Sequence, residues 1–170
     1  RAAFDWLRDR LAALYEKEAA GLLQDPWAAR DAYIRVLLDR SPESVAGFLE
    51  ENAARPLSPE EKVRALELLE LQRHCMQMYT SCGWFFNDPS GIETVQVLRY
   101  AARAVQLAEG LFGRGLEGEF LKRLQKAKSN LPEFGSARRI YETQAEPASM
   151  ALADVCAHHA ILSLFEDASS

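Results

Sequence analysis

The sequence predicts an all-α domain, an irregular bundle of about seven or eight helices around a central apolar helix at about 59–80. Three observations carry that prediction. Apolar residues recur at i, i+3/i+4 through most of the 170 residues. Helix starts are spelled out three times, where Asp25-Pro26, Ser41-Pro42 and Ser58-Pro59 each set a capping side chain before a proline. No run of β-branched residues alternates with polar ones as a half-buried strand would. Hydrophobic residues at 48% and charged residues at 26% are ordinary for a globular chain, and the length suits one helical domain over 1–170.

Taken in order, Phe4, Leu7, Leu11, Leu14 and Tyr15 share one face of a first helix that runs to about Leu23. Asp25 then caps a second helix that carries Trp27, Tyr33, Ile34, Leu37 and Leu38 to Asp39, and Ser41 caps a short third one holding Val45, Phe48 and Leu49. Ser58-Pro59-Glu60-Glu61 is a capping box, in which serine and glutamate each satisfy the other's backbone amide. The helix it opens sets Val63, Leu66, Leu69 and Met76 on one side. Leu68, Leu71, Cys75, Met78 and Tyr79 widen the apolar arc, as expected of a hub with neighbours on several sides. A second capping box, Ser90-Gly91-Ile92-Glu93, opens an alanine-rich helix to Phe112, with Gly113 and Gly115 as C-cap candidates. Further helices are expected at about Leu116 to Lys128, around Ala137 to Glu142, and from Ala148 to Phe165.

Between the two longest helices the pattern breaks. Thr80, Ser81, Cys82 and Gly83 are small, Trp84, Phe85 and Phe86 are consecutive aromatics, and Asn87-Asp88-Pro89-Ser90-Gly91 is a turn. Helical neighbours diverge by roughly 100°, so three adjacent large rings cannot all face one core stripe. The surface they cover is the candidate site. Rings beside the carboxylates of Asp88 and Glu93 suit a carbohydrate, whose C–H faces stack on aromatics while its hydroxyls take polar partners. Both acids also have structural duties, Asp88 in a turn and Glu93 in a capping box, which argues against a catalytic pair.

Other chemistries find less footing. A net charge of −5 argues against nucleic acid, and the pairs Lys122-Arg123 and Arg138-Arg139 read as solvated helix faces. No apolar run approaches the roughly 18 residues of a membrane span, and an odd count of three cysteines without framework spacing suits a reducing compartment, the cytoplasm by default. His74, Cys75 and Cys82, like Cys156, His158 and His159, lack the paired spacing of a zinc site, so neither metal nor other cofactor is expected. Cysteine as a small buried hydrophobe is a simpler reading than cysteine as a nucleophile. The chain opens on Arg1 and not on Met, which we read as a piece of a longer polypeptide.

The run from Cys75 to Glu109, CMQMYTSCGWFFNDPSGIETVQVLRYAARAVQLAE, resembles the signature of the domain of unknown function 3536, the C-terminal helical region of glycoside hydrolase family 57-like proteins. Asp31 to Ala53 and Ala153 to Glu166 are similar to the same family, with His159 a departure where an aromatic is expected. The resemblance implies an accessory domain that packs on an N-terminal catalytic barrel of the same polypeptide. It also implies a part in the α-glucan cleft, with the catalytic Glu and Asp on the barrel and none here. Trp84 would then be the sugar-stacking platform or the plug against the barrel, Phe85 and Phe86 would divide between the core and that interface, and Asn87, Asp88 and Glu93 would touch glucan hydroxyls or barrel loops. A helical interaction module with no sugar role is the alternative reading.

Overall fold

The computed structural model describes residues 1–113 and 115–148. The expected last helix beyond Ala148, with Cys156, His158 and His159, lies outside the described residues. At Asp25, Ser41 and Ser58 the helix begins where the cap is written. Asp25 accepts hydrogen bonds from the Trp27 and Ala28 amides at the start of α2 (Pro26–Ala32). Ser41 accepts from the Ser44 amide at the start of α4 (Pro42–Asn52). Both halves of the Ser58–Glu61 box are present at the start of α5 (Pro59–Gln77), and the Arg55 guanidinium grips Glu61 at 2.6 and 2.9 Å.

Helix ends obey more distant partners. α1 (Ala2–Ala19) stops short of Leu23 because Leu22 and Leu23 turn inward and the backbone bonds to the end of α4: Gln24 N–H donates to the Asn52 carbonyl, and Ala54 N–H to that of Leu22. The helix expected from Trp27 to Asp39 is two, α2 and α3 (Ile34–Leu38), broken at Tyr33. That residue turns its ring onto Phe48 and its hydroxyl to Glu70 of α5, a cross-bundle pairing that rewards the break.

The core runs along α5 and α6 (Ile92–Phe112), which pack on each other, with α1 and α2 also against α5. The hub expectation holds, but its stripe is rotated: Ala65, Leu68, Leu69, Leu71, Gln72 and Cys75 are buried, whereas Val63 and Met76 stay 56% and 49% exposed. The apolar arc is wider than the available neighbours, so its edges are left to solvent. Alanines 101, 102, 104 and 108 of α6 are buried and let the helices approach closely. Gly113 ends α6 with φ +60°, a backbone state that favours glycine. α7 (Glu117–Leu124) is shorter than the expected helix to Lys128, because the 125–136 stretch closes into a loop through backbone bonds Ser129 to Gly135 and Ala137 to Ala127. α8 (Ala137–Ile140) runs on through a wider π turn, Tyr141–Ala145, whose Tyr141 and Ala145 are buried.

Candidate functional site

α5 ends in a tight turn, and a single 3₁₀ turn, Ser81–Trp84, follows. Gly83 is the point of closest approach: a Cβ there would lie 2.3 Å from Cγ1 of Val97 on α6, so only hydrogen fits between turn and helix. Thr94 Oγ1 donates to the Gly83 carbonyl at 3.3 Å and holds the turn down on α6.

That seating parts the three rings. Trp84 is half-buried as a wedge, its indole Nε1 donating to the Met78 carbonyl at 3.0 Å. Its ring stacks on Tyr79 at 6.1 Å and meets Phe4 edge-on at 5.1 Å, while the Arg1 guanidinium sits over it at 5.4 Å. The Tyr79 hydroxyl in turn donates to Asp5 at 2.7 Å, and that bond, ahead of the Arg1 and Arg8 charges, holds the Asp5 carboxyl below its ordinary value. Phe85 and Phe86 face out, 80% and 57% exposed, touching each other edge-to-face at 5.2 Å. The expected division is thus reversed: Trp84 packs inward against the core, because Phe4 and Tyr79 offer it ring partners, and neither Phe85 nor Phe86 takes the core place expected of one of them.

Asp88 is the knot of the corner. Its Oδ1 accepts from the Ser90 hydroxyl at 2.6 Å, the Ser90 amide at 2.9 Å and the Ser129 hydroxyl at 2.9 Å. Its Oδ2 accepts from the Asn130 amide and again from Ser129 at 3.2 Å. Five donor contacts stabilise the ionised form, the Ser90 hydroxyl foremost, so the carboxyl is held far below the usual carboxylate range. The second capping box does not form. With Ser90 engaged by Asp88, the N-cap falls to Gly91, which lacks a capping side chain, and Glu93 stands one position earlier in the helix than a box requires. Asn87 is exposed and Glu93 half-buried.

A cavity of about 510 Å³ opens beside this corner, under the start of α1 and the end of α7. Trp84, Phe86, Asn87 and Asp88 line it, with Val97, Leu98 and Leu124 as its apolar floor, whereas Phe85 and Glu93 lie outside its lining. Apart from Asp88 its charged boundary is basic, from Arg1, Arg123, Lys126 and Lys128. The structure thus brings four of the six expected residues to one cavity and gives Asp88 a structural task. Of the cysteines in the described region, Cys75 is buried with its thiol pushed up to about 12 by loss of solvent, and Cys82 is exposed.

Sequence reading missed a second group. Tyr33, Arg40, Glu70, Arg73, His74 and Arg103 meet in another cleft, drawn from separated elements with no spacing signal to announce them. Among the described residues, no helix is long and apolar enough to cross a membrane.

Fold and corner together define an all-α bundle whose outward chemistry is a pair of exposed phenyl rings beside a basic-rimmed cavity. The chain belongs to the family described as Domain of unknown function (DUF3536), which matches residues 1–170. No curated protein and no solved structure matches the chain.

Proposed function

We propose that this chain is the accessory helical domain of a family 57-like α-glucan-active enzyme, a hydrolase or glucanotransferase. It docks on the catalytic barrel of its own polypeptide and adds side chains to the carbohydrate cleft. The observation that supports this reading best is the adjacent pair Phe85 and Phe86, both exposed, with Phe86 also on the lining of the cavity of about 510 Å³. Burying one phenylalanine side chain is worth about 1.5–3 kcal/mol, so two left side by side in water support the reading of a surface covered by a partner. Phe85 and Phe86 make the cover, Trp84 gives the corner its rigidity, and Asn87 and Glu93 supply the polar contacts. Asp88 contributes by holding the turn, since both its oxygens are already engaged.

One observation favours the alternative, an interaction module with no sugar role: acceptors for sugar hydroxyls are scarce around the cavity, and its basic rim suits an acidic protein surface instead. Titration of the chain with maltoheptaose, and separately with the catalytic barrel, followed by tryptophan fluorescence and calorimetry, tests the proposal. Binding to both, abolished by Phe85→Ser/Phe86→Ser without a change in melting temperature, is the expected result. Binding to the barrel alone selects the interaction module. Silence toward both, at millimolar sugar, overturns the docking reading altogether.

A further inference from the structure

The second cleft, about 600 Å³, lies where α5 faces α6 on one side and the α3–α4 segment on the other. Three guanidinium groups reach its walls from three parts of the chain: Arg40 after α3, Arg73 on α5 and Arg103 on α6. Glu70 is the shared carboxylate, 2.8 Å from Arg73 Nε, 3.3 Å from Arg40 Nη2 and 2.9 Å from the Tyr33 hydroxyl that donates to it. Arg73 meets Glu70 through Nε, which leaves its outer fork for another acceptor. Arg103 donates to the neutral amide oxygen of Gln106, so its charge is not offset by a carboxylate through that bond. Glu67 also lines the cleft, and the fixed charges come to three cations against two anions.

His74 shares the wall, and its Nδ1 is buried with no hydrogen-bond partner. Such a group costs about 1–3 kcal/mol when left unmet, and a neutral imidazole can offer one N–H to an oxyanion. Burial first, then the charges of Arg73 and Arg103, push the imidazole down to about 4 against the opposing pull of Glu70. The ring of Tyr100, 6.2 Å away on α6, is its aromatic neighbour.

We propose that this cleft binds a small phosphate-bearing molecule, its phosphoryl oxygens held by Arg40, Arg73 and Arg103 and its less polar part along Val63, Leu66 and Leu107. Guanidinium groups arriving from three elements, with the outer fork of Arg73 open and further N–H donors on Arg40 and Arg103, match a dianion with three terminal oxygens, whereas one fork already satisfies a carboxylate. A cleft of this size is within the range of small-molecule sites and has room for more than the anion itself. The inference is independent of the aromatic corner, because none of these residues belongs to it.

Titration of the full chain with inorganic phosphate and with glucose 1-phosphate at constant ionic strength, by calorimetry and by NMR of the His74 imidazole, tests it. Saturable binding is expected, about tenfold weaker in Arg103→Gln with the melting temperature unchanged. Bound dianion also raises the His74 midpoint by about one pH unit, by offsetting Arg73 and Arg103. Arg40→Gln, at an exposed position outside the helices, repeats the measurement should Arg103→Gln fail to fold. The proposal is overturned by unsaturable binding at millimolar ligand, by an equal response to chloride, or by wild-type affinity in the variants. Succinate binding as tightly as glucose 1-phosphate overturns the phosphate assignment.

Discussion

Alanine at Gly83 is the sharpest probe of how the corner is built. The added Cβ falls 2.3 and 2.9 Å from the two methyls of Val97 and 3.2 Å from the Glu93 carbonyl oxygen. The first distance is more than an ångström short of the roughly 3.5–4.0 Å at which carbon atoms rest. Val97 cannot swing aside cheaply: it is buried, lies inside α6, and a β-branched side chain on a helix keeps one strongly preferred rotamer. Overpacking of this kind costs about 1–3 kcal/mol, partly offset by about 0.4–1 kcal/mol from the stiffer unfolded chain. At about 2–4 °C per kcal/mol for a chain of this size, the remaining cost of about 0.6–2 kcal/mol is expected to lower the melting temperature of Gly83→Ala by roughly 1–8 °C in a calorimetric scan. Gly47→Ala is the control, since nothing lies within 4 Å of its added methyl inside α4, and it should stabilise by about 0.5–1 kcal/mol. In a Val97→Ala background, where the room exists, the Gly83→Ala penalty should largely vanish. An unchanged or raised melting temperature for Gly83→Ala, or an undiminished penalty in that background, refutes the close approach of turn and helix.

Two further outcomes follow from the described chemistry. Because the folded Asp88 carboxyl titrates below its unfolded value of 3.8, its stabilisation is complete above that value and is lost as pH falls toward the folded one. The melting-temperature gap between wild type and Asp88→Asn should therefore be steady from pH 7 to about pH 5 and close in stronger acid; a gap that widens with acid contradicts the knot. Thiol labelling followed by peptide mapping should find Cys82 modified in the native protein and Cys75 only after unfolding, since one is exposed and the other buried with a raised thiol. Equal labelling rates would place Cys75 outside the core.

Local chemistry was legible, and distant chemistry was not. Asp25, Ser41, the Ser58–Glu61 box and Gly113 all act where short-range rules put them, because a cap involves partners within three or four residues. The Ser90–Glu93 box obeys the same spelling and fails, since Asp88 takes the Ser90 hydroxyl into a local turn that competes with capping. The aromatic break was visible as a conflict between three rings and one helical face. Which ring turns inward was not visible, because Phe4, about eighty residues upstream, supplies the edge that Trp84 packs on.

By itself the sequence determined that this protein is helical, where most of its helices begin, and that the 84–86 stretch cannot be wholly internal. Only the tertiary structure decided that Trp84 is a wedge while Phe85 and Phe86 face water, that Asp88 ties residues forty positions apart, and that Arg40, Arg73 and Arg103 share a cleft. The division has a physical cause. Hydrogen bonds within a turn and apolar periodicity along a helix are properties of neighbours in the chain, whereas burial and charge clustering depend on which faces meet once the chain has closed on itself.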